Sequence, residues 1–148
     1  MRYLISSIAA LALLLFAAPA IAQVMNRREV LMTTEEVATG TPVIKYITNN
    51  LGSNSAYLHV KTENETADAS LVVAVYANET LGSTLLCTST AITTNTSTHM
   101  LLGSLAAAGE GITDACDFPL TRSLTFIFTT SGAGADFDVS AALHWLAH

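Results

Sequence analysis

Residues 122–145 read "RSLTFIFTTSGAGADFDVSAALHW" and carry the clearest periodicity in the chain. Leu124, Phe126 and Phe128 fall on one face of an extended segment, and Ser123, Thr125 and Thr129 on the other, with Ile127 the exception. Beyond the turn Ser131-Gly132-Ala133-Gly134, Phe137, Val139, Ala141, Leu143 and Trp145 alternate with Asp138, Ser140, Ala142 and His144. Two period-2 stripes joined by a glycine-containing turn predict an antiparallel hairpin, each strand with one buried face. Ala141–Ala147 also fits a short helix, but the unbroken alternation from Phe137 favours a strand.

The same reasoning extends outward. Residues 55–80, "SAYLHVKTENETADASLVVAVYANET", read as two strands around a polar turn. Leu58, Val60 and Thr62 share one face of the first, and Tyr57, His59 and Lys61 share the other. The second strand is apolar on both faces, as expected of a central strand. Further β-type runs cover 30–37, 43–48, 84–91 and 98–105, with turn residues between them. The segment 104–114, "SLAAAGEGITD", is expected to be a long loop broken by Gly109 and Gly111. About eight short strands predict an all-β fold, an antiparallel β-sandwich of Greek-key or jelly-roll type, with an up-and-down barrel as the alternative.

The N-terminus has a separate character. Met1-Arg2-Tyr3, the apolar run Leu4–Ala18 and the small residues of Ala20-Ile21-Ala22 form a secretory signal, with cleavage predicted after Ala22. A membrane anchor is the rival reading, but the run is shorter than the roughly 20 residues a span needs. The division is thus 1–22 signal peptide, 23–29 loose arm and 30–148 sandwich domain, exported to a periplasmic, cell-surface or extracellular location. No later stretch is long enough to span a bilayer. The mature chain has five Lys and Arg against twelve Asp and Glu, a balance of −7, which argues against nucleic acid or an anionic membrane as partner.

Cys87 and Cys116 are the two cysteines, and an oxidising compartment makes a disulfide between them the default. Two free buried thiols or a metal pair are the rival readings. No G-x-S-x-G, H-E-x-x-H, C-x-x-C or phosphate-cradling glycine loop occurs, so no enzyme activity and no cofactor are expected. The histidines, His59, His99, His144 and His148, are scattered in sequence. His144 and His148 could chelate zinc only if the tail were helical. Asp136 and Asp138 sit at i and i+2 beside a turn, where solvated charge is the ordinary reading and carboxylate hydrolysis or calcium the sharper one. Glu110, Asp114 and Asp117 make the long loop acidic, so the weak calcium candidates are Glu110, Asp114, Asp117, Asp136 and Asp138. Trp145 continues a core stripe, which leaves Tyr46, Tyr57 and Tyr76 as candidates for stacking on a glycan.

The order of "SAYLHVKTENETADASLVVAVYANE", "ITTNTSTHMLLG" and "FPLTRSLTFIFTTSGAGADFDVSAALHW" resembles small β-sandwich proteins encoded near the structural genes of tailed bacteriophages. That resemblance spans residues 30–147 and implies a structural or adhesive role of the virion type, without catalysis. The N-terminal signal departs from the pattern and points to a surface or periplasmic relative. The leading expectation is an exported, non-enzymatic module that self-associates or binds another surface protein. A glycan- or calcium-binding module is the first alternative, and a small carboxylate-dependent hydrolase the second.

Overall fold

A computed structural model describes residues 27–50, 52–63, 66, 69–79, 82–103 and 114–146. The expected signal peptide, most of the segment expected to be a long loop, Glu110 and His148 lie outside the described residues. Among the described residues nine strands run β1 (Arg28–Ala38), β2 (Val43–Thr48), β3 (Ser55–Glu63), β4 (Ser70–Glu79), β5 (Gly82–Thr88), β6 (Ser97–Gly103), β7 (Asp114–Cys116), β8 (Ser123–Ser131) and β9 (Asp136–Leu146). They form two sheets, β1-β9-β3-β6-β7 and β2-β8-β4-β5. All pairings are antiparallel except β6 with β7. No described residue is helical.

The pairs β1–β9, β2–β8, β3–β6 and β4–β5 make one long antiparallel ribbon with the β4–β5 turn at its tip. Two more pairings, β9–β3 and β8–β4, roll that ribbon into two facing sheets. The fold is therefore a jelly-roll sandwich, with β7 added at one edge. This corrects two expected hairpins. β3 and β4 lie in different sheets, as do β8 and β9. Each of these two connections takes the chain from one sheet to the other, so the inward face of each strand packs on the facing sheet. The tail is a strand through Leu146. Arg28 and Glu29, expected in a loose arm, belong to β1. Trp145 holds them there: its backbone N–H donates to Arg27 O at 2.9 Å and its indole Nε1–H to Glu29 Oε1 at 3.1 Å.

The core is built from the inward positions of the alternating stripes. Leu58, Phe126, Phe128, Phe137, Val139 and Leu143 are all fully buried, and Trp145 closes the same cluster. Gly103, at φ +113, is needed where β6 ends, since a Cβ there would collide with the Asn54 backbone.

The two open flanks are closed differently. On one, Cys87 of β5 and Cys116 of β7 form a disulfide with Cα atoms 5.9 Å apart and a sequence separation of 29. Closing a loop of that length stabilises the fold by roughly 3–4 kcal/mol in the chain-entropy model. Asp114 reinforces it by accepting from Thr90 N at 3.0 Å and Thr90 Oγ1 at 2.6 Å. On the other flank, Lys45 of β2 donates to both carboxylate oxygens of Glu35 of β1, at 2.6 and 2.7 Å. Edge strand β1 is also interrupted by register shifts between Val30 and Met32 and between Met32 and Glu35. Bulges and inward-aimed charge at an edge oppose unwanted strand pairing.

Candidate functional site

The outward positions of the two sheets differ in chemistry. On the β1-β9-β3-β6-β7 sheet, antiparallel register sets side chains in rows. Glu36, Asp138 and Glu63 form one row, Ser140, Lys61 and Ser97 the next, Ala142, His59 and His99 the third, and Arg28, His144, Tyr57 and Leu101 the fourth. All three described histidines therefore meet on one face, although their sequence spacing gave no hint of it. The His59 and His99 rings stack at 4.6 Å and 16°, and Tyr57 stacks on His144 at 4.6 Å and 6°. Tyr57 also meets the His99 ring edge-on at 6.1 Å. Tyr57 is thus committed to imidazole partners.

Electrostatics follow from that crowding. Partial burial lowers the His59 pKa, and His99, His144, Arg28 and Lys61 lower it further by repelling a proton. Burial, then Arg28 and His99, lower His144 in the same direction. A cleft of about 150 Å³ opens here, lined by Arg28, Met32, His59, Lys61, Ser140 and the Ala141-Ala142 pair. The bulges of β1 shape it. Thr34, at φ +50, turns its N–H onto Ser140 Oγ at 3.1 Å, where a regular ladder would use a backbone carbonyl.

The outer face of the β2-β8-β4-β5 sheet contrasts with this. Its outward positions read Ile44, Tyr46 and Thr48 on β2, and Thr125, Ile127 and Thr129 on β8. Val72, Ala74 and Tyr76 follow on β4, and Leu85 opposite Tyr76 on β5. None carries a charge. Tyr46 is 72 % exposed, Leu85 52 % and Ile44 44 %. Tyr46 and Tyr76 flank Thr125 in one row, two strand spacings or about 10 Å apart. The Thr125 hydroxyl beneath them is buried without a hydrogen-bond partner among the described residues.

The calcium candidates fall into separate places. Asp114 is on edge strand β7 and bonded to Thr90, and Asp117 is exposed just beyond it. Asp136 and Asp138 open β9, three strands away across the sheet, or about 14 Å. One ion cannot bridge these two groups. Among the described residues no set of three or more His, Cys, Asp or Glu converges to hold a metal. Among them, too, no helix is long and apolar enough to cross a membrane. A second cleft, of about 400 Å³, lies between the β2–β3 turn and the approach to β8, lined by Asn49, Asn50, Ser53, Asn54, Leu120 and Arg122. Asn49 shapes its wall by donating to Ser53 O at 2.8 Å and accepting from Ser53 N at 3.1 Å. No protein-family model matches the sequence, and no curated protein matches it.

Proposed function

We propose that this protein is an exported, non-enzymatic assembly module that docks to a second copy of itself through the outer face of the β2-β8-β4-β5 sheet. The observation that carries the reading is the absence of charge from every outward position described on that face. The chain has a formal charge of −6, so two copies repel wherever their carboxylates approach. The uncharged face lets copies meet without that repulsion and without stripping water from an ion. Exposed Tyr46, Ile44 and Leu85 supply apolar and aromatic contact. The N-terminal signal and the disulfide support export. The resemblance to phage-encoded sandwich proteins supports a structural or adhesive task, although a jelly roll by itself is used by capsid proteins and lectins alike.

Sedimentation velocity over a range of protein concentrations tests the reading. A concentration-dependent shift to a larger species is expected, abolished by Tyr46→Glu with Ile44→Lys while the circular dichroism spectrum is kept. A monomer at all concentrations overturns it. A second reading rests on Tyr46 and Tyr76 flanking Thr125, a flat platform of the kind that stacks on sugar rings. Saturable binding of a polysaccharide by a strict monomer, lost in Tyr46→Ala, would select that reading instead.

A further inference from the structure

The cleft beside the β1 bulges is not used by the assembly reading, and its lining is unusual for this chain. We propose that it is an oxyanion site that takes one sulfate or phosphate group, held by Arg28, Lys61 and His59 with Ser140 as a hydroxyl donor. The whole sequence has six Lys and Arg, and two of them line this one cleft. Among the described residues Arg28 has no carboxylate partner. Its planar guanidinium matches two oxygens of a tetrahedral anion. Lys61 contacts Glu63 at 2.5 Å, but the two side chains are 48 % and 47 % exposed. Such a solvent-facing pair is easily shared with an incoming anion. The cleft's volume of about 150 Å³ suits a single small group rather than a sugar.

The surroundings of His59 favour an anion over a cation. On its own strand lie Tyr57 and Lys61, with Glu63 one row beyond. His99 faces it from β6, His144 from β9 and Arg28 from β1, while Asp138 and Glu36 stand in the acidic row with Glu63. The groups nearest His59 are therefore cations or histidines, and the carboxylates stand two rows from it, with Glu63 in contact with Lys61. Partial burial, and after it repulsion from His99, His144, Arg28 and Lys61, already disfavours a proton on His59. A bound dianion cancels that repulsion, so binding and protonation assist each other. Ser140 is aimed at the cleft by Thr34, whose left-handed backbone is uncommon for a β-branched residue.

Sulfate is the probe, because its charge is constant from pH 5 to pH 8. It is titrated into the purified protein while the histidine ring signals are followed by NMR. A saturable shift of His59 is expected, with binding about tenfold tighter at pH 5 than at pH 8 and a raised His59 pKa in the bound form. Arg28→Gln and Lys61→Gln, both at exposed positions, are each expected to weaken binding about tenfold, while Lys45→Gln leaves it unchanged. Inorganic phosphate and a sulfated monosaccharide, run alongside, separate a free ion from an esterified group. Weaker ester binding assigns the site to the free ion, and equal or tighter ester binding assigns it to a group carried on a larger molecule. Shifts that stay linear in sulfate at both pH values overturn the proposal. So does equal affinity in Arg28→Gln, Lys61→Gln and Lys45→Gln with unchanged melting temperatures.

Discussion

The two sheets bury the same kind of face and present opposite ones. Inward, β3 offers Leu58 and Val60, and β8 offers Leu124, Phe126 and Phe128, all buried in one core. Outward, β3 carries Tyr57, His59, Lys61 and Glu63, while β8 carries Thr125, Ile127 and Thr129. Alternation leaves every second residue free of the core, so each sheet can be given its own surface at no cost to packing. One surface here is ionisable and responds to pH and anions. The other is uncharged, its polar groups being hydroxyls and the Asn78 amide. Fold and function are therefore separated residue by residue along each strand.

The contrast can be broken most forcefully at the shared core. Phe128→Ala and Leu58→Ala remove fully buried side chains from opposite sheets, and each is expected to cost about 3–5 kcal/mol in chemical denaturation. A cost below about 1 kcal/mol for either would mean that its sheet is not packed on the other.

A smaller effect separates the outer faces by pH. His59 and His144 have pKa values lowered from 6.5, so the folded state binds fewer protons than the unfolded chain as pH falls through and below that value. Stability is then full above pH 6.5 and declines below it. Thermal melts of His59→Gln between pH 7.5 and pH 5 are expected to show a shallower decline than the parent, and Tyr46→Ala the parent's decline. Identical slopes for His59→Gln and the parent would remove the distinction between the faces.

The smallest effect concerns Thr125, whose hydroxyl is buried without a partner among the described residues. Thr125→Val keeps the shape and removes the stranded hydroxyl. It is expected to be neutral or to stabilise by about 1 kcal/mol, whereas an equally buried but bonded threonine such as Thr62 is expected to lose stability on the same change. Denaturation midpoints of the two variants make the comparison.

Much of this architecture is readable from the residues alone. The stripes of Phe126, Phe128, Val139, Leu143 and Trp145 point inward as their alternation requires, and Cys87 does meet Cys116. Strand partners are less accessible. A turn such as Ser131–Gly134 looks the same whether it joins neighbours in one sheet or passes between two, because periodicity reports the buried face and not who lies alongside. The histidine cluster was hidden for the same reason. His59, His99 and His144 each occupy an outward position, and the register of β3 with β6 and β9 is what brings them together. β7 is only three residues long, too short for alternation to register.

The rolled ribbon also sets an order of events in folding. Among the described strands only β4 and β5 pair with a close neighbour in sequence, whereas β1 must find β9, so that Arg28 comes to lie opposite His144. Topologies dominated by such distant pairings cross their barrier in milliseconds to seconds rather than microseconds. Zipping from the β4–β5 tip would close β3 on β6 and β8 on β2 before the outermost pair. The edge with two bulges would then be the last to dock, and the cleft lined by Arg28, His59 and Ser140 would exist only once that pairing is complete.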